Sequence, residues 1–166
     1  MMEEAARTAH DFFSDGAPKM SFSPNLFAAY STDFVRKGNN IITIAAEPEI
    51  ESMLHEILHT VLAVHREKIM EYSKKYGLAD FASREKMMEF GYMDDDTATS
   101  ITHVMEECFV RAISVVLAGK GDERLYAHAE YGCDSVPMIA HYFKTIRPTV
   151  NELGSFIDTV LADTIR

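Results

Sequence analysis

Residues 48 to 77 read PEIESMLHEILHTVLAVHREKIMEYSKKYG. Apolar side chains recur at Ile50, Met53, Leu54, Ile57, Leu58, Val61 and Leu62, and again at Ile69 and Tyr72. That is the three-and-four spacing of one helical face. Pro48 suits the first position of a helix, and Glu47, Glu49 and Glu51 complement its positive end. Lys74 and Lys75 followed by Gly77 form a C-terminal signature. The pattern predicts one long helix over 48–76, a rigid mount for the side chains displayed near its start.

Those side chains include His55-Glu56-Ile57-Leu58-His59, an H-E-x-x-H motif. Four helical residues advance about 6 Å and just over one turn, so both imidazoles leave the same face. Two neutral imidazoles at that separation suit two corners of a tetrahedral Zn²⁺ site. Glu56 between them can reach a water on the metal and act as general base. The plainer alternative is a satisfied pair of helix histidines beside a surface glutamate.

Outward from this helix, Glu3 to Ser14 reads as a short helix ending in the turn signal Asp15-Gly16-Ala17-Pro18. Residues 20–46 carry two β-prone runs, Phe34-Val35-Arg36 and Ile41-Ile42-Thr43-Ile44-Ala45, around Lys37-Gly38-Asn39-Asn40. They predict a hairpin. A short helix is expected at Ser83 to Phe90. Asp94-Asp95-Asp96 then caps a helix over Thr97 to Ala118; the run lacks the alternating ligand spacing of a calcium loop. Further helices are expected at about Asp122 to Tyr131, Ser135 to Ile146 and Thr149 to Ile165, separated by Gly132 and Pro148.

A catalytic zinc needs a third protein ligand. His65 stands six residues after His59, the spacing of H-E-x-x-H-x-x-G-x-x-H. Leu62 replaces the glycine that lets the chain turn back in that pattern, and six helical residues rotate His65 about 240° away from His59. The other candidates are Glu106 and Glu107 on the Thr97 to Ala118 helix. Glu107 shares a polar edge with His103, Arg111 and Ser114. Glu106 lies near Phe109, Val110 and Ile113, where a buried carboxylate needs a partner.

Val104-Met105-Glu106-Glu107-Cys108-Phe109-Val110-Arg111-Ala112 resembles the ligand helix of gluzincins, the thermolysin-like zinc peptidases. It is most similar to a group of little-studied bacterial peptidases whose second helix reads E-x-x-x-R-A. Ser23-Pro24-Asn25-Leu26-Phe27 through Ile41-Ile42-Thr43-Ile44 is similar to the edge strand and hairpin of that group. The resemblance spans residues 20–145 loosely, with H-E-x-x-H its specific element. It implies a mostly helical α+β fold: a zincin-like helical core with an N-terminal β-hairpin or edge sheet. It also implies Glu107 as the third ligand, Arg111 orienting it, and an oxyanion donor to be sought among Tyr131, His128 and His141. Tyr131, before Gly132 at a helix end, is the first choice as a further catalytic residue.

At 166 residues and 47% hydrophobic, the chain can bury one core and is expected to form a single domain over residues 1–166. A net charge of −10 argues against nucleic acid and anionic membranes as partners. No apolar run approaches a membrane span, and the first residues lack a signal-peptide core. Cytoplasm is thus the default compartment, with an excised domain of an exported protein the alternative. Cys108 and Cys133 allow at most one disulfide; Cys108, on an apolar face, reads as a buried thiol.

The expected function is zinc-dependent hydrolysis of peptide bonds, with His55, His59 and Glu107 as ligands and Glu56 as base. The rival is a non-catalytic helical binding module that keeps the scaffold. The chain is too short for the second lobe that bounds the cleft in thermolysin-like enzymes. Either the substrate is small or extended, or a partner chain or second copy completes the wall.

Overall fold

The computed structural model describes residues 2–16, 21–24, 34–37, 40–43, 50–77, 81–91 and 101–164. The expected helix start at Pro48, with Glu47 and Glu49, and the expected cap at Asp94-Asp95-Asp96 lie outside them. In chain order the helices are α1 (Met2–Phe13), α2 (Ile50–Leu62), α3 (Arg66–Tyr76), α4 (Arg84–Glu89), α5 (Ile101–Leu117), α6 (Asp122–Glu130), α7 (Val136–Ile146) and α8 (Leu153–Asp163).

Helix α5 is the axis of the molecule. Val104, Met105, Cys108, Phe109, Val110, Ala112, Ile113, Val115, Val116 and Leu117 are all buried. A helix apolar on so many sides belongs in the middle of a bundle. α1, α2, α3, α6 and α7 pack around it, and α8 packs on α7. From α2 and α3, Leu58, Leu62 and Ile69 are completely buried in the same core. This packing sets the motif helix directly against α5.

Two expectations are corrected. The fold class is all-helical rather than α+β. Extended pairing is limited to Ser21–Pro24 (β1), Phe34–Lys37 (β2) and Asn40–Thr43 (β3), in the order β1-β3-β2, with β1 parallel and β2 antiparallel to β3. Among the described residues no helix packs broadly on these segments, so they form no layer or edge of the core. The physical reason is that the helices satisfy one another's apolar stripes. Four-residue strands offer little surface to compete.

The second correction concerns the motif helix, which does not run unbroken to Tyr76. A 3₁₀ turn at Ala63–His65 separates α2 from α3. None of its three residues is buried, and Val64 is 79% exposed. The core anchors Leu62 and Ile69 flank it, and such short 3₁₀ turns are common where one helix gives way to the next.

Short turns fix the remaining helices. Gly132 has φ +102° and follows α6; its carbonyl accepts the Ser83 N–H at 2.8 Å. A Cβ there would lie 2.5 Å from the Ser83 carbonyl oxygen, so this close crossing requires glycine. Among the described residues no helix is long and apolar enough to cross a membrane. Cys108 and Cys133 are both free and fully buried, and burial pushes the Cys108 thiol well above its usual range.

Candidate metal centre

His55 and His59 leave α2 one turn apart, and Glu107 reaches them from the middle of α5. The Nε2 atoms of the two imidazoles are 3.1 Å apart. Glu107 Oε1 lies 3.5 Å from His55 Nε2, and its Oε2 lies 3.3 Å from His59 Nε2. Among the described residues these three form the one cluster of at least three potential ligands with donor atoms so close together. A tetrahedral zinc with bonds of 2.0–2.1 Å separates its ligand atoms by about 3.3 Å. The donor set fits such an ion in both chemistry and spacing.

Behind the three donors stands a second layer of charge. Glu106 Oε1 is 3.1 Å from His59 Nδ1. That contact makes Nδ1 a donor to Glu106 and leaves Nε2 facing His55 and Glu107. Arg66, the first residue of α3, grips Glu106 through Nε to Oε2 at 2.6 Å and Nη2 to Oε1 at 2.9 Å. Arg111 pairs with Glu107 from one turn along α5, with Nη2 2.6 Å from Oε1. Planar guanidinium forks of this kind fix a carboxylate's orientation as well as its charge.

Protonation follows from these contacts. Burial, partly opposed by Glu107, pushes the His55 imidazole down to about 4. Burial also acts against a charged His59, but hydrogen bonds it donates to Glu106 and Glu107 outweigh it and raise His59 to about 9. Glu106 is buried yet held down to about 2 by His59 and Arg66. Glu107, equally enclosed, is held well below the usual carboxylate range by His55 and Arg111. His59 is thus held in its charged form between two carboxylates at neutral pH.

The other expected residues fall in different places. Glu56 is half-buried on α2 between the two histidines. His65 is not in the cluster; its ring packs against Gly154 of α8, where an added Cβ would meet Cε1 at 3.1 Å. His103 is half-buried and stacks on His59, with ring centroids 6.1 Å apart and planes within 7°. Tyr131 packs its ring on Phe90 at 4.9 Å. His141 is exposed on α7 beside Tyr142. His128 is completely buried, with Nε2 3.3 Å from Glu51 Oε1.

Sequence reasoning missed the partners of Glu106 and His128. Arg66 stands seven residues after His59, two turns along the same face, so the spacing was available. Glu51 stands one turn before His55, and Arg124 with His128 forms an i, i+4 pair on α6. Arg124 Nε donates to both oxygens of Glu51, at 3.0 and 3.2 Å. Nothing in the sequence pairs α6 with the start of α2. Comparison with protein-family models, with curated proteins and with solved structures finds no match.

Proposed function

We propose that the chain is a zinc-dependent hydrolase of peptide bonds, with His55, His59 and Glu107 holding the metal and Glu56 serving as general base. The observation that supports it is the convergence of three ligand side chains whose donor atoms lie 3.1 to 3.5 Å from one another. Around that cluster His59 has its other nitrogen committed to Glu106, and Glu56 lies between the two histidines in sequence.

When bound, zinc polarises the substrate carbonyl and makes water acidic enough to attack at neutral pH. The chain's residues supply the rest. Glu106 and Arg66 hold His59 in the tautomer that presents Nε2. Arg111 holds Glu107. Glu56 takes the proton from the attacking water and delivers it to the leaving amine, which needs a carboxylate that is not itself a ligand. Three protein ligands leave a fourth position open for chemistry, as catalytic zinc sites do and structural ones do not. The proposed substrate is a peptide or protein segment.

The test is metal analysis followed by a mixed-peptide assay read by mass spectrometry. The purified chain should take up about one zinc. Glu56→Gln should keep that zinc while hydrolysis falls on the order of 10²-fold or more. If zinc-loaded protein cleaves nothing, or cleaves no faster than Glu56→Gln, the peptidase reading fails and a metal-bearing binding module replaces it. Failure to take up zinc at all would remove both.

A further inference from the structure

A second polar hollow, built from other residues, lies where α1 meets the end of α7. It is lined by Arg7, Thr8, Asp11, Phe12, Phe143, Arg147 and Pro148, and its volume is about 40 Å³. Since one water needs roughly 10–15 Å³ by the same kind of measure, a group of a few heavy atoms fits. The floor is apolar: Phe12 and Phe143 are buried, with ring centroids 5.5 Å apart. The rim carries two exposed guanidiniums, from Arg7 and Arg147.

Three features single out this rim. In a chain of net charge −10, two cations meet at one hollow, and among the described residues neither forms an ion pair with a carboxylate. Asp11, the one acid of the lining, is turned toward solvent beside His10 Nδ1 at 3.4 Å. The hollow is left with an excess of one positive charge. Finally, Arg147 is the only described non-glycine residue with positive φ (φ 52°, ψ 55°), at the C-cap of α7 and directly before Pro148. Glycine is the usual residue at such a cap, and a following proline disfavours helical geometry further. An arginine there lines the hollow at a conformational cost, with its Nε donating to the Lys144 carbonyl at 3.4 Å.

We infer that this hollow binds a small oxyanion, a phosphate or carboxylate group gripped by Arg7 and Arg147. Guanidinium pairs suit such groups because their N–H forks match two oxygens at once. Thr8 lines the same wall. The site shares no residue with the metal centre and does not depend on the peptidase reading.

The experiment uses the full chain freed of metal by chelation. Inorganic phosphate, acetate and sodium chloride are titrated separately at matched ionic strength, with binding followed by calorimetry and thermal shift. Saturable binding of phosphate, acetate or both, beyond the chloride response, is expected. Arg7→Gln and Arg147→Gly should each weaken it at least 10-fold. Glycine adopts φ 52° freely, so Arg147→Gly removes the cation without disturbing the turn. Asp11→Asn should tighten binding. No saturable response to either anion, or a response that both arginine variants retain, overturns the inference; preference between the anions assigns tetrahedral or planar geometry.

Discussion

Glu106 and Glu107 are sequence neighbours, both buried, yet they serve different partners. Glu107 points both oxygens at the imidazole nitrogens of α2, while Glu106 turns to the far nitrogen of His59 and to Arg66. Removing a ligand and removing its support should therefore differ in size. Glu107→Ala should weaken zinc binding beyond measurement against a chromophoric chelator. Glu106→Gln should weaken it about 10- to 100-fold, as loss of a carboxylate behind a ligand histidine does elsewhere. His65→Ala should leave it unchanged, since that ring packs on Gly154. If Glu106→Gln matched Glu107→Ala, the division of roles between them would be wrong. Helical periodicity read Glu106 as the more buried of the pair, as it is, but put Glu107 on a polar edge where the structure encloses it too. Both are enclosed because α5 is covered on nearly every side, which a single helix's pattern does not reveal. The resemblance to E-x-x-x-R-A pointed to Glu107, and Arg111 lies where that spacing puts it.

At the scale of elements, the chain's helices were legible because their apolar residues repeat at helical spacing and their ends carry Gly or Pro. Residues 84–89, 122–130 and 136–146 fall within a residue or two of expectation. Two things were not legible. The break at Ala63–His65 has no proline or glycine to announce it; Ala63 and Val64 are exposed there, and His65 packs on Gly154 of α8. The β-prone runs at 34–45 invited an α+β reading, but whether strands form a layer depends on a helix offering them a face. The crossing at Gly132 gives a direct check on helix placement. Gly132→Ala combines a positive φ with a Cβ 2.5 Å from a backbone oxygen, and should cost about 2–4 kcal/mol. Gly154→Ala should cost far less, because its new methyl meets only the tip of His65 at 3.1 Å. Urea midpoints with an unchanged slope would register both; equal costs would argue against the tight approach of Ser83 to the α6–α7 turn.

For the molecule as a whole, two buried ionic clusters fasten α2. One joins it to α5 through His55, His59, Glu106 and Glu107, and the other joins its first turn to α6 through Glu51, Arg124 and His128. The second cluster makes acid stability predictable. Burial acts to raise the Glu51 carboxyl, but the hydrogen bond from His128 and the charge of Arg124 outweigh it, so its pKa lies below the ordinary 4.5. A carboxyl depressed by folding adds stability that is fully present above its unfolded pKa. That stability disappears as the pH falls through the folded value. His128, pushed below its ordinary value by burial and by the charges of Arg111 and Arg124, adds no opposing charge near neutrality. Arg124 remains 43% exposed, so solvent screens part of the attraction and only about 1–2 kcal/mol is expected. Glu51→Gln keeps the shape and removes the charge. It should therefore be less stable than the native chain by that amount at pH 7, and the gap should close as pH drops below about 4.5. Urea unfolding at pH 7, 5, 4 and 3 on metal-free protein measures it. Parallel stability curves across that range would mean that Glu51 carries no folding-linked charge, and that α6 is held to the motif helix by packing alone.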